Sequence, residues 1–288
     1  QSARTLDRGA SMRVLALSPG SSQDQLDRLP ALESLCQQLG AALFVACDPG
    51  VSAAWQLLPC VEKVFPFSFE AGPSLADWAN LLGNVREPDF QVCINFAEGQ
   101  QVNLMLSMSH IPSRIGTAGF ACTEQVQAGE GFAAQRLSTY LSPLGCNLDA
   151  DAFRIALPSQ ELEEARSSQP QGDGPMLILA PSAEDQDWPS DRWLALPKSI
   201  SKRLATLRSS TLDLDLSMRR RAAAVACADV VLSSCAITQR LAVYFGIPLV
   251  ALGATPTDFP PRGDIRCLGM RSDLASLKEQ EVLDALGF

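Results

Sequence analysis

The chain has 288 residues, of which 47% are hydrophobic and 19% charged, and its formal net charge is −9. That length accommodates two domains of ordinary size, and the composition suits a large buried core and excludes a disordered chain. Only four lysines occur, Lys63, Lys198, Lys202 and Lys278, and an acidic, lysine-poor chain argues against nucleic acid or anionic lipid as a partner.

In chain order, residues Gln1 to Ser11 precede Met12 and read as an expression scar, outside the fold. Arg13 to Leu17 is a first strand, followed by a turn-rich loop from Ser18 to Asp24. A helix follows, with Leu26, Leu29, Leu32, Leu35 and Leu39 on one side and Gly40 at its end. Further strands are expected at Leu43–Cys47, Val61–Phe65 and Phe90–Phe96. Helices are expected around Ala53–Leu58, Leu75–Asn84 and Gln101–Met108. Arg114-Ile115-Gly116 starts a strand or turn, and Phe132 to Leu141 reads as a helix. A polar stretch rich in Gly and Pro, Ser167 to Pro175, reads as a linker. The pattern restarts with a strand at Met176–Ala180, then helical sequence around Trp193–Leu204 and Met218–Cys227. Leu212 to Leu216 alternates like an exposed strand, Ile265 to Leu268 is a last strand, and Leu274 to Leu286 a closing helix. Such alternation implies parallel sheets covered on both faces.

No apolar run approaches the ~18 residues of a membrane span. The nine cysteines form no CxxC pair, and Cys47, Cys93 and Cys227 sit inside apolar runs. With no secretion signal in view, this predicts reduced thiols in a cytoplasmic protein. His110 is the single histidine, which excludes a His-rich metal site and suits a surface or capping role. No cofactor is called for.

The second half centres on one βαβ unit. Val230–Leu232 is a buried strand. Ile237, Leu241 and Tyr244 form a helical stripe ended by Gly246, and Pro248 opens the next strand, Leu249–Leu252. Ligands of such sheets lie beyond the carboxyl ends of the strands, here at Ser233–Cys235 and Gly253–Thr257.

Several short motifs recur in order: Met12-Arg13-Val14-Leu15, a loop with Asp24, Leu29-Pro30-Ala31-Leu32, Ser113-Arg114-Ile115-Gly116, Pro181-Ser182-Ala183, Trp188-Pro189 and the run from Gly246 to Gly253. In this order and spacing, over most of the chain, they resemble glycosyltransferase family 9, the heptosyltransferases of lipopolysaccharide assembly. The resemblance implies two Rossmann-like α/β domains facing a cleft, the GT-B type. It places an acceptor-type domain at 12–167, a linker at 168–175 and a donor-type domain at 176–288. Between Trp193 and Val230 the family usually fits a further strand and helix. Either a strand–helix unit is missing from this domain or part of the chain is missing from the sequence.

By the same resemblance Asp24 is the candidate base, taking the acceptor hydroxyl's proton as it attacks the anomeric carbon. Its plain alternative is a helix cap. The donor site falls on Ser182, Gln186, Ser234, Cys235, Arg240, Gly253 and Thr255. Here the polar signature departs from the family. Its Asp falls on Cys235, its Gly on Ile237, its His on Arg240 and its Lys before Trp-Pro on Gln186, beside Asp187. Ser18 and Gln23 replace a Lys and a Gly near the candidate base. Arg240 is either a replacement phosphate ligand or a solvated helix residue, and Arg219-Arg220-Arg221 reads as an exposed helix start. The leading expectation is a family 9-like protein whose sugar transfer is lost or altered, binding a nucleotide-sugar or glycan ligand or a protein partner. The alternative is an active inverting glycosyltransferase with Asp24 as base. A two-domain binding protein or an epimerase-type enzyme on the same architecture, the latter with Glu98 as a second carboxylate, is a distant third.

Overall fold

The structure, a computed structural model, describes residues 11–288. All but the last residue of the leading segment read as an expression scar lies outside the described residues. Contacts divide the chain into two compact units. One holds the residues up to Gly20, Leu29–Gly129 and Leu137–Leu148. The other holds Ser21–Arg28, Glu130–Arg136 and Asp149–Phe288.

The first unit contains β1 (Met12–Leu17), most of α1 (Ser22–Leu39), β2 (Ala41–Cys47), β3 (Val61–Pro66), α2 (Leu75–Arg86), β4 (Val92–Asn95), α3 (Gln100–Ser107), β5 (Ser113–Gly116), β6 (Glu124–Gln125) and α4 (Ser138–Leu141). Its sheet runs β3-β2-β1-β4-β5-β6, every pair parallel. Val14 to Leu17 are fully buried on both faces, as a central parallel strand requires. On one face Leu15, Leu17, Phe44 and Phe65 pack with Leu81 and Val85 of α2 and with Val102, Met105 and Leu106 of α3. The chain leaves β1 for β2 and β3 on one side and reaches β4 on the other. Such a switch point opens a crevice at the carboxyl ends of the strands.

Two local expectations change among these elements. A 3-10 turn, Pro49–Leu57, stands where a short helix was expected, capped by Asp48, whose side chain accepts from Gly50 N. The helix expected from Phe132 reduces to a 3-10 turn at Gln135–Leu137 and the short α4. His110 is exposed, has φ +62°, and its Nε2 lies 3.0 Å from Arg86 Nη2.

The second unit contains α5 (Ser159–Ser168), β7 (Met176–Ala180), α6 (Ser190–Ser201), β8 (Arg208–Thr211), α7 (Met218–Ala226), β9 (Val230–Ser233), α8 (Ala236–Tyr244), β10 (Leu249–Leu252), β11 (Ile265–Leu268) and α9 (Glu279–Leu286). Its sheet runs β11-β10-β9-β7-β8, again all parallel. Leu177, Leu179, Leu232, Val250 and Leu252 pack with Trp193, Leu196 and Ile200 of α6 and Val282 and Leu283 of α9. Trp188 anchors the loop after β7, its indole N–H donating to Leu277 O at 2.9 Å.

The two sheets share one pattern, with β7, β8, β9, β10 and β11 in the places of β1, β2, β4, β5 and β6. The second sheet has no counterpart of β3, so β8 is its edge. The exposed strand expected at Leu212–Leu216 is a correction: the strand is Arg208–Thr211, and the alternating residues follow it as a loop. Asp213 Oδ1 accepts from Asp215 N at 2.9 Å, a side-chain turn that competes with strand pairing. The expected closing helix is split into a 3-10 segment, Arg271–Ser276, and α9. By contacts, residues 149–168 belong to the second unit, so the polar stretch at 168–175 lies inside it. Gln169 in that stretch is buried and donates to Ala224 O at 3.2 Å.

Candidate functional site

In the second sheet β10, β9 and β7 are neighbours and parallel, so their carboxyl ends lie side by side. The loops they carry are stitched together. Ser182 N donates to Ser234 Oγ at 2.8 Å, Ser234 N to Ala180 O at 3.1 Å and Cys235 N to Ser233 Oγ at 2.9 Å. Gln239, buried on α8, donates to Ser233 O and Leu252 O, tying the ends of β9 and β10. Ser182, Ser234, Cys235 and Gly253 are thus assembled at one edge of the sheet. Thr255 leads from there into a 3-10 turn, Pro256–Asp258.

Cys235 caps α8 without a side-chain hydrogen bond, so the helix's first amides and its positive dipole end are not closed by an acidic or hydroxyl cap. Two arginines stand beside it. Arg221 Nη1 lies 3.9 Å from Cys235 Sγ and its Nη2 donates to Leu214 O, while its buried Nε has no partner. Arg271 Nη2 donates to Ser234 O at 2.6 Å. Gly253 has φ +72°, and a Cβ there would meet Arg271 Nε at 3.2 Å, so glycine permits both the turn and the close guanidinium. Thr238 Oγ1, in the first turn of α8, is buried and unpartnered.

Acidic groups oppose these cations. A pocket of about 520 Å³ lies under the loop after β7, walled by Ser182, Trp188 and Trp193 and by the carboxylates Glu184, Asp185 and Asp187. No cation lines it. Gln186 lies in the same loop, between two of those carboxylates. Glu184 Oε2 lies 3.7 Å from Arg271 Nη1 and so competes with any anion for that cation.

Arg240 is neither solvated nor free. Its side chain is 4% exposed, and its Nε and Nη2 meet Asp27 Oδ1 and Oδ2 at 2.8 and 3.3 Å. Its guanidinium also lies 5.7 Å from the Phe259 ring centroid. Burial pushes the Asp27 carboxyl above its ordinary range, and the Arg240 charge pulls it part of the way back. Asp24 stands one turn before Asp27 on α1. Its carboxylate accepts from Ser21 N and Ser21 Oγ at 2.8 and 2.9 Å, and its own N–H donates to Ser21 Oγ. This is a capping box, and the Asp24 side chain is exposed within it. Glu98 falls in the first unit.

The sequence reading missed Asp27, Arg221, Gln239 and Arg271. Arg221 belongs to the arginine run taken as an exposed helix start. It is instead buried, whereas Arg219 pairs with Glu161 at 2.6 Å. Among the described residues, no group of three or more His, Cys, Asp or Glu is placed to hold a metal ion. No helix among them is long and apolar enough to cross a membrane.

Two parallel α/β units in one chain, the second with its polar groups gathered at the strand ends, define a two-domain Rossmann-like protein. That fold is the GT-B fold of glycosyltransferase family 9. The chain superposes on the glycosyltransferase family 9 protein of Veillonella parvula with TM-score 0.75, at 16% identity, covering 95% of each chain. For the E. coli ADP-heptose lipopolysaccharide heptosyltransferase II the TM-score is 0.71, at 16% identity, over 96% of this chain and 97% of the other. For the E. coli heptosyltransferase WaaC with ADP-2-deoxy-2-fluoro heptose it is 0.68, at 16% identity, over 96% and 99%. No family model and no curated protein sequence matches the chain.

Proposed function

We propose that the chain is a divergent, cytoplasmic relative of glycosyltransferase family 9 whose sugar-transfer activity is lost or strongly altered, and that it acts by binding a ligand or partner. The observation that carries this reading is the charge arrangement at the strand ends of the second unit. The pocket beneath the loop after β7 is lined by Glu184, Asp185 and Asp187 and by no cation. Arg240, at the position of the family's histidine, is committed to Asp27. A charge-assisted hydrogen bond to phosphate contributes about 1.5–3 kcal/mol. Each missing cation therefore weakens a diphosphate by about tenfold to a hundredfold. Repulsion from three carboxylates adds to that loss, and β-branched Ile237 restricts the backbone approach that a glycine would allow.

A specific observation favours the second reading, an inverting glycosyltransferase with a nucleotide-sugar donor and Asp24 as base. Arg221 and Arg271 flank the first turn of α8 and supply positive charge where a helix N-terminus already favours an anion. Both already donate to backbone carbonyls, and Arg271 faces Glu184, so the balance stays with weak binding. Calorimetric titration at low salt with ADP, UDP and their sugars decides between the two. Dissociation constants in the millimolar range or weaker support the divergent reading. A micromolar constant lost in Arg271→Met or Arg221→Met overturns it and restores the enzyme.

A further inference from the structure

We propose that the open edge of the second sheet is a docking site for an extended peptide of another protein, one that alternates basic and apolar residues. The proposal deepens the reading of a binding protein, on which it rests, by giving the chemistry of the partner.

β8 is the last strand on its side of the sheet. In the first sheet the corresponding strand, β2, is covered by the parallel strand β3. No strand takes that place beside β8 among the described residues. Arg208 N and Leu212 N donate to Pro175 O and Leu179 O at 2.9 and 2.8 Å. Direction alternates along a strand, so Ser209 and Thr211 between them each turn one N–H and one C=O to the open edge. Neither Pro, Lys nor a bulge blocks that edge. Its one charged side chain, Arg208, is tied back to Gly174 O and Pro170 O at 2.8 and 3.1 Å.

A pocket flanks β8 on each face. On the side of α5 and α7 lies one of about 390 Å³, walled by Ala165, Ile178, Leu212, Leu216, Ala223 and Ala224, with Ser210 at its border. Leu177 and Leu179, which alternate with Ile178, pack on the opposite face with α6. On that side lies the acidic pocket of about 520 Å³, which Thr211 borders with Glu184, Asp185 and Asp187. Trp193, 7% exposed, forms part of its wall, and the indole N–H has no partner in the protein.

Successive side chains of a strand point to opposite faces. A strand added to β8 therefore sends one residue toward the apolar pocket and the next toward the carboxylates. Main-chain hydrogen bonds to Ser209 and Thr211 hold it, and the two pockets select its side chains. The carboxylates select Lys or Arg on one face. The apolar walls select Leu or Ile on the other. A second copy of this chain fits poorly. Its edge strand would offer Ser209, Ser210 and Thr211, too small to fill the apolar pocket, and a net charge of −9 opposes self-association.

Calorimetry tests this with a short peptide, blocked at both ends, in which arginine and leucine alternate. The expected dissociation constant is about 100 μM or tighter. Exchanging its arginines for glutamates should weaken binding about tenfold or more at low salt. Methylating alternate backbone nitrogens should also weaken it about tenfold. In the protein, Thr211→Pro removes an outward N–H and spares the ladder to β7, so it should weaken binding about tenfold. Glu184→Lys with Asp185→Lys, both at exposed positions, gives an independent readout, reversing the preference so that the glutamate peptide binds better. Absence of binding by the arginine peptide overturns the proposal. So does equal or tighter binding of the glutamate peptide by the unmodified protein, or a preference unmoved by the charge reversal. A dimer in sedimentation that Thr211→Pro dissolves would give the edge to a second copy and also overturn it. Separate titration with ADP keeps the two readings apart. A micromolar ADP constant would overturn lost transfer and leave the peptide site standing, whereas silence toward the peptides would overturn the peptide site alone.

Discussion

Replacing Arg240 by methionine keeps most of its aliphatic bulk and removes the cation that pairs with Asp27. The carboxylate is then left with 18% of its side-chain surface exposed, where the arginine it loses was 4% exposed. Removing one partner of a fully buried pair costs about 3–5 kcal/mol. Asp27 keeps some contact with water, so the expected loss is at the lower end, about 3 kcal/mol. Urea unfolding at neutral pH measures it. In Asp27→Asn/Arg240→Met most of the loss should return, because no charge is then stranded. The pH dependence has a definite sign. In the folded protein the Asp27 carboxyl already sits above its ordinary value through desolvation. A group shifted this way favours the folded state when protonated, and it costs stability as pH rises from its unfolded to its folded pKa. Arg240→Met raises the folded pKa further, so the deficit should be small in acid and grow as pH rises to neutrality. A loss below about 0.5 kcal/mol, a deficit that grows in acid, or additive single and double variants would refute the ion pair as a structural element.

Asp24→Asn keeps one acceptor oxygen for the capping box and should leave stability within about 0.5 kcal/mol, whereas Asp24→Ala should cost about 1 kcal/mol by thermal unfolding. If transfer activity is found, both should reduce turnover by about 10²–10⁴-fold, and an indifferent rate removes Asp24 from the chemistry. Glu184→Gln removes the carboxylate that competes for Arg271, so ADP should bind several-fold tighter by calorimetry, and unchanged affinity would show that Arg271 meets no phosphate. Alkylation of the native, unreduced protein should modify Cys60 first, since a hydrogen bond from Cys36 pulls its thiol below the ordinary value. Cys93, fully buried and pushed up by desolvation, should react only after unfolding. After denaturation, nine thiols should be counted by mass spectrometry, and a lower count would reveal a bridge.

Much of the architecture is legible in the sequence, because strands buried on both faces must be continuous apolar runs. Arg13–Leu17, Leu43–Cys47, Met176–Ala180 and Leu249–Leu252 are such runs, and the helical stripes between them leave parallel pairing as the only simple connection. The places of the strand-end loops at Ser233–Cys235 and Gly253–Thr257 follow from the same logic, whereas Ser182 was singled out only through the family resemblance. Elements made by turn chemistry are another matter. Leu212 to Leu216 alternates as a strand would, yet Asp213 caps its own turn. The 20 residues before β7, including α5, carry too little apolar periodicity to announce a helix. The balance of charge at the site was decided only by tertiary structure. Asp27 and Arg240 are 213 residues apart in the chain, and Arg271 reaches Ser234 across 37. A guanidinium's role depends on which oxygen it finds, and one-dimensional spacing does not encode that when the partners arrive from separate elements. Local patterns report what each segment must bury. Only the folded chain reports which charges are brought out of water together, and that pairing sets the pKa values and the local affinity for anions.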